Sequence, residues 1–157
     1  MAFKPAMTTL EMHITYRCNL RCPNCCALVG VAPRNEELPL ADVSEFIQDS
    51  IVTKYPWTGI VLWGGEPTMH ERIHAIATML HVYQQEYNQK VLLQIVSNGR
   101  DMAMIRDLEK TYNVQPMVSP KNADNGDGTG TRIPYDCVMD SPVDNGHQSP
   151  VGCHEIQ

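Results

Sequence analysis

Four of the six cysteines crowd into positions 18 to 26, as Cys18, Cys22, Cys25 and Cys26. Three thiolates in Cys18-Asn-Leu-Arg-Cys22-Pro-Asn-Cys25 are soft ligands suited to an iron-sulfur cluster or to zinc. With only three protein ligands, one iron of a cubane keeps an open position that a substrate or cosubstrate can occupy. A closed structural zinc site would want a fourth ligand, for which Cys26 is the near candidate; otherwise Cys26 reads as a small buried hydrophobe.

Two further segments could bind a small molecule. In Gly64-Gly65-Glu66-Pro67, paired glycines let the backbone approach a ligand closely, leaving main-chain groups and Glu66 to hold an ammonium. In Ser97-Asn98-Gly99, two polar side chains suit a ribose or a carboxylate, and the glycine permits a turn. Either segment alone could be an ordinary turn.

A rival chemistry is spelled by His70-Glu71-Arg72-Ile73-His74. On a helix, H-E-x-x-H places two imidazoles on one face beside a general-base glutamate, the arrangement of a zinc hydrolase. The extended pattern with a further Gly and His fails at Ala77 and Leu80, and nothing singles out a third ligand, although Glu86 is available. His13 is a substrate-site candidate or a satisfied structural histidine. Cys137 and Cys153, with His154, are loose thiols, an auxiliary metal site, or the start of an auxiliary-cluster region.

These residues need elements to position them. Leu10, Met12 and Ile14 alternate with Glu11, His13 and Thr15, the period of a strand with one apolar and one polar face. Leu40, Val43, Phe46, Ile47 and Ile51 predict a helix from about Pro39 to Thr53. Gly59 to Trp63 reads as a doubly covered parallel strand, and helical spacing resumes from about Met69 to Tyr87 through Ile73, Ile76, Leu80 and Tyr83. Val91 to Val96 is a third strand, Asp101 caps a helix carrying Met104, Ile105 and Leu108, and Val114 to Val118 is a fourth strand. Strands joined by helical crossovers predict an α/β fold with a parallel sheet and functional loops at the carboxyl ends of the strands. Beyond Ser119 the chain turns rich in Gly, Asn and Asp, then in prolines at 134, 142 and 150, and reads as a tail over 120–157 bearing Cys137 and Cys153.

Bulk properties bound the function. The 157 residues suffice for one modest domain, and 43% hydrophobic with 19% charged residues is ordinary globular usage. A net charge of -6 offers no basic field, so no nucleic-acid partner is expected. No apolar run approaches the ~20 residues that span a bilayer, and the amino terminus lacks the apolar stretch of a signal peptide, so no membrane association and a cytoplasmic location are expected. Crowded cysteines without an export signal suggest metal binding in a reducing compartment rather than disulfides.

Taken together and in this order, the cysteine loop, Gly64 to Pro67 and Ser97 to Gly99 resemble the radical S-adenosylmethionine (radical SAM) superfamily. Thr15-Tyr-Arg-Cys-Asn-Leu-Arg-Cys is similar to the entry to that family's cluster loop. The resemblance implies a partial (βα) barrel over 1–119 with about four βα units and a cluster loop over 16–26. It implies a 4Fe-4S cluster on Cys18, Cys22 and Cys25, and S-adenosylmethionine held by Gly64, Gly65, Glu66, Pro67, Ser97, Asn98 and Gly99. The implied activity is reductive cleavage of S-adenosylmethionine to a 5'-deoxyadenosyl radical, with an external electron donor such as a flavodoxin or ferredoxin. Asn24 departs from the aromatic residue often found before the last cluster cysteine.

Cys137 and Cys153 resemble the opening of the SPASM or twitch extension of members that modify peptides, which suggests a peptide or protein substrate. No residue carries a substrate signature. A family barrel usually has six βα units; four suggest an amino-terminal portion of something longer, or a minimal member comparable to a glycyl-radical-enzyme activase. The alternatives are a non-catalytic iron-sulfur protein and, less favoured, the zinc hydrolase.

Overall fold

The computed structural model describes residues 7–22, 25, 27–29, 32 and 36–119. Four strands alternate with three α-helices: β1 (Thr9–Thr15), α1 (Leu40–Thr53), β2 (Gly59–Gly64), α2 (Ile73–Glu86), β3 (Leu92–Ser97), α3 (Met102–Tyr112) and β4 (Gln115–Val118). A single 3-10 turn, Pro67–Met69, separates β2 from α2. The expected strands and helices are therefore present, with ends moved by a residue or two. The exception is α2, which begins at Ile73 rather than near Met69.

All strand pairs are parallel and lie in the order β1-β2-β3-β4. Each crossover steps the same way, so the sheet never reverses as a doubly wound one does; this is the winding of a (βα) barrel. Neighbouring helices touch, α1 on α2 and α2 on α3, and form one layer.

The two faces of the sheet divide by strand period. Met12, Ile14, Ile60, Leu62, Leu93 and Ile95 pack into the core with Val43, Ile76, Leu80 and Leu108 from the helices. Glu11 and His13 face away and are exposed, while Trp63, Gln94 and Val96 on that side are half-buried. Thr15 departs from its expected place on the polar face and is buried. The register slips between His13 and Thr15, and such a bulge re-aims the residues after it.

Local signals end and start the helices. The Asp101 side chain accepts from the Met104 amide at 3.0 Å, as expected of an N-cap. Asn113 closes α3 in the left-handed conformation that asparagine tolerates. Among the described residues no helix is long and apolar enough to cross a membrane.

Core truncation tests this division. Leu62 is 1% exposed and Val82 is 50% exposed. Leu62→Ala is expected to cost about 2–5 kcal/mol, read from the urea midpoint, and Val82→Ala within about 0.5 kcal/mol of zero.

Candidate functional site

The carboxyl ends of β1, β2 and β3 are stitched together by backbone. The Gly65 amide donates to the Thr15 carbonyl at 2.7 Å and the Glu66 amide to the Arg17 carbonyl at 2.8 Å. Only glycine permits this approach: a Cβ on Gly64 would strike the Thr15 carbonyl oxygen, and one on Gly65 would strike that of Arg17. Gly64 also has a φ of +145°, a conformation open chiefly to glycine. The paired glycines thus serve a close approach to β1's exit, immediately before Cys18, where the sequence suggests close approach to a ligand.

Glu66 turns inward and is 1% exposed. Its Oε1 accepts from the Ser97 hydroxyl and the Thr68 hydroxyl, each at 2.8 Å, and from the Thr68 amide at 3.3 Å. Its Oε2 accepts from the Asn98 amide at 2.8 Å. A buried carboxylate is tolerable only when its lone pairs are filled this way. In this arrangement the carboxylate joins β2 to β3.

Ser97 and Asn98 are likewise engaged within the protein. Ser97 Oγ accepts from the Gly99 amide at 3.1 Å, and Asn98 Oδ1 from the Arg100 amide at 3.0 Å. Asn98 Nδ2 donates to Asn19 Oδ1 at 2.9 Å, which connects the end of β3 to the cysteine loop. Pro67 is buried at the start of the 3-10 turn. The two segments identified from sequence are thus brought together.

Cys18, Cys22 and Cys25 are free thiols, each partly exposed. They line one hollow of about 90 Å³ with Leu20, Arg21 and Val29. The Leu20 amide donates to Cys18 Sγ at 3.4 Å. Arg21 Nη1 donates to the carbonyls of Cys18 at 3.1 Å and Leu20 at 2.9 Å, so its charge stands within the loop. Burial pushes the Cys18 thiol above its ordinary range; the negative charges of Glu66, Cys25 and Cys22 push the same way, and the Leu20 amide opposes them. Among the described residues no three of His, Cys, Asp and Glu are placed to hold a single metal ion. Three thiolates that each bind a different iron of a cubane need no such convergence, so the donor set lining the hollow is compatible with a cluster.

The H-E-x-x-H geometry is absent. His70 caps the 3-10 turn and precedes α2, so it does not share a helix face with His74. His70 is 4% exposed. Its Nδ1 accepts from the Arg72 amide at 3.0 Å, which leaves the proton on Nε2 to donate to the Leu38 carbonyl at 3.2 Å. With both nitrogens used it has no lone pair for zinc. His74 stands on the helix surface with Asp107 at 3.6 Å.

His13 stacks on Trp63 at 5.9 Å and 9° on the face away from the helices. Arg17 and Asn19 enter only through the stretch Thr15 to Cys22, and Glu37 lies in no motif, yet each makes a contact that shapes the loop. Adjacency to Cys18 was the one available signal for the first two. Cys26, Asn24, Cys137, Cys153 and His154 lie outside the described residues.

Parallel strands wound in one sense, with a three-cysteine loop after the first, define an α/β partial-barrel class of protein. The model of the radical SAM superfamily matches residues 12–139. The chain therefore belongs to the radical SAM superfamily, a family of enzymes that use S-adenosylmethionine and a 4Fe-4S cluster. No curated protein matches it. Among solved structures it is similar to BtrN, crystallised in complex with AdoMet and 2-DOIA, with a TM-score of 0.62 and 17% identity. The match covers 80% of this chain and 50% of that one, so this chain spans about half the length of its neighbour. The likeness is one of fold.

Two measurements test the site. Glu66→Gln sets an amide N–H against a donor and is expected to cost about 1–3 kcal/mol by urea melt. In the metal-free protein, the pH midpoint for alkylation of Cys18 is expected above that of an ordinary cysteine. The native state holds the Cys18 proton more tightly than the unfolded chain does. Its stability contribution is therefore complete below the ordinary thiol pKa and falls as pH rises through that value toward the raised one.

Proposed function

We propose that this chain carries the cluster-binding site of a radical SAM enzyme, with Cys18, Cys22 and Cys25 as the ligands of a 4Fe-4S cluster. The observation that carries the reading is the hollow lined by all three thiols at the exit of β1. Cys18 must give up its proton to bind iron, and burial makes that proton harder to remove than an ordinary thiol's, so iron uptake is expected to strengthen as pH rises.

The main chain of Gly64 to Pro67 and the turn at Ser97 to Gly99 border the cosubstrate side of the site. Glu66, Ser97 and Asn98 contribute by fixing those backbones rather than by offering free side chains. When bound, the cluster and S-adenosylmethionine supply reductive cleavage of the sulfonium to a 5'-deoxyadenosyl radical. The protein's share is to orient the thiols, to hold the three strand ends at one spacing, and to shield the site from water.

The electron comes from an external donor such as a flavodoxin or ferredoxin. We place the barrel portion at 1–119 and a separate tail at 120–157, where Cys137 and Cys153 are candidates for auxiliary metal ligands. A peptide or protein substrate is the reading supported by that pair alone.

Anaerobic reconstitution with iron and sulfide, followed by reduction with S-adenosylmethionine present, tests the reading. The wild-type chain is expected to bind about four irons per protein and to release 5'-deoxyadenosine. Cys18→Ala, Cys22→Ala and Cys25→Ala are each expected to lose the cluster's visible absorbance and the product together. A loaded, reduced protein that yields no 5'-deoxyadenosine would leave only an iron-sulfur binder.

A further inference from the structure

The chain between Thr15 and Glu37 carries the three cysteines and is closed at its base by backbone. Thr15 and Glu37 form an antiparallel bridge. The Tyr16 amide donates to the Glu36 carbonyl at 3.2 Å, and the Leu38 amide to that of Ile14 at 2.8 Å. Closing a loop of this length carries an entropic cost that a few terminal hydrogen bonds scarcely offset.

One short segment grips both ends of this loop. At the entry, the Glu66 amide holds the Arg17 carbonyl at 2.8 Å. At the exit, His70 Nε2 donates to the Leu38 carbonyl at 3.2 Å, and the Glu71 amide lies 3.4 Å from each oxygen of Glu37. Arg17 then spans entry and exit: its Nη1 reaches Glu37 Oε1 at 3.2 Å and Glu71 Oε1 at 2.9 Å. The Arg72 amide on His70 Nδ1 fixes the ring so that Nε2 points at the loop.

We propose that His70 and Glu71, acting with Arg17 and Glu37, are positioning residues that clasp the cysteine loop shut before any cluster arrives. The motif that spells a zinc site is thus half of a buckle. Its purpose rests on the reading of the cysteines as cluster ligands; its existence does not. A loop closed in advance brings the thiols to iron with less ordering left to do, and it resists opening once iron is bound. The clasp therefore acts on iron retention as well as on the metal-free loop.

Amide hydrogen exchange on the metal-free full chain gives the primary test. The amides of Tyr16 and Leu38 are followed against sheet amides such as that of Ile95. In His70→Ala and in Glu37→Ala, exchange at Tyr16 and Leu38 is expected to quicken by about threefold to tenfold, with the sheet unchanged. His70→Gln, which keeps an N–H for the Leu38 carbonyl, is expected to recover part of the protection. Glu37 is on the loop rather than in the core, so its variant decides the matter if His70→Ala loosens the whole sheet.

Iron release from the reconstituted protein to a chelator is the second readout, expected to quicken by a similar factor in both variants. Unchanged exchange at Tyr16 and Leu38 in Glu37→Ala overturns the clasp, whether the sheet of His70→Ala opens or not. Because the exchange measurement uses no metal, a chain that fails to take up a cluster would defeat the proposed function and leave the clasp standing. A chain that holds its cluster while both amides ignore the substitutions would do the reverse.

Discussion

The seam between Gly64-Gly65 and the exit of β1 is the constraint on which the site depends. Two backbone amides meet the carbonyls of Thr15 and Arg17, at positions where a Cβ would strike those same oxygens. Because the chain enters the cysteine loop directly after Arg17, the seam sets where that loop begins. It also delivers Glu66 to the interior, where four donors from Thr68, Ser97 and Asn98 receive its carboxylate. A carboxylate buried without such donors would cost several kcal/mol and would drive the strand ends apart. With them, it fixes the distance between β2 and β3.

The consequence is electrostatic as well as geometric. Glu66 places a buried carboxylate near the cysteines, and burial, helped by that charge, holds the Cys18 proton to higher pH than in an ordinary thiol. Of the two nearby arginines, Arg17 is paired with Glu37 and Glu71, while Arg21 donates to neutral carbonyls and keeps its positive charge within the loop. Iron bound by these thiols would displace their protons, so metal uptake would be coupled to pH and to loop stability.

Sequence patterns revealed the fold because the sheet is covered on one face only by helices of regular period. Ile60, Leu62, Leu93 and Ile95 had to be apolar for the helices to pack, and their spacing was visible. What was invisible came from irregular backbone. The bulge that buries Thr15 leaves no mark in an alternating pattern, since threonine suits either face. The inward turn of Glu66 could not be read either, because a glutamate after two glycines has the same composition whether it faces a ligand or Ser97. Arg17 and Glu37 escaped notice because their partner is 20 residues away across a loop, beyond any local periodicity.

His70 shows why spacing and geometry can part. The same five residues would place two imidazoles on one face if the helix began at Met69. Instead the 3-10 turn consumes the chain up to His70, and α2 starts at Ile73. The turn starts at Pro67, capped by the Glu66 carboxylate on the Thr68 amide, and stops at His70, whose backbone is extended. The seam at the glycines therefore decides, through Glu66, that His70 emerges from the turn facing the exit of the cysteine loop. A residue pattern that elsewhere binds zinc is redirected here by the packing of the three preceding positions.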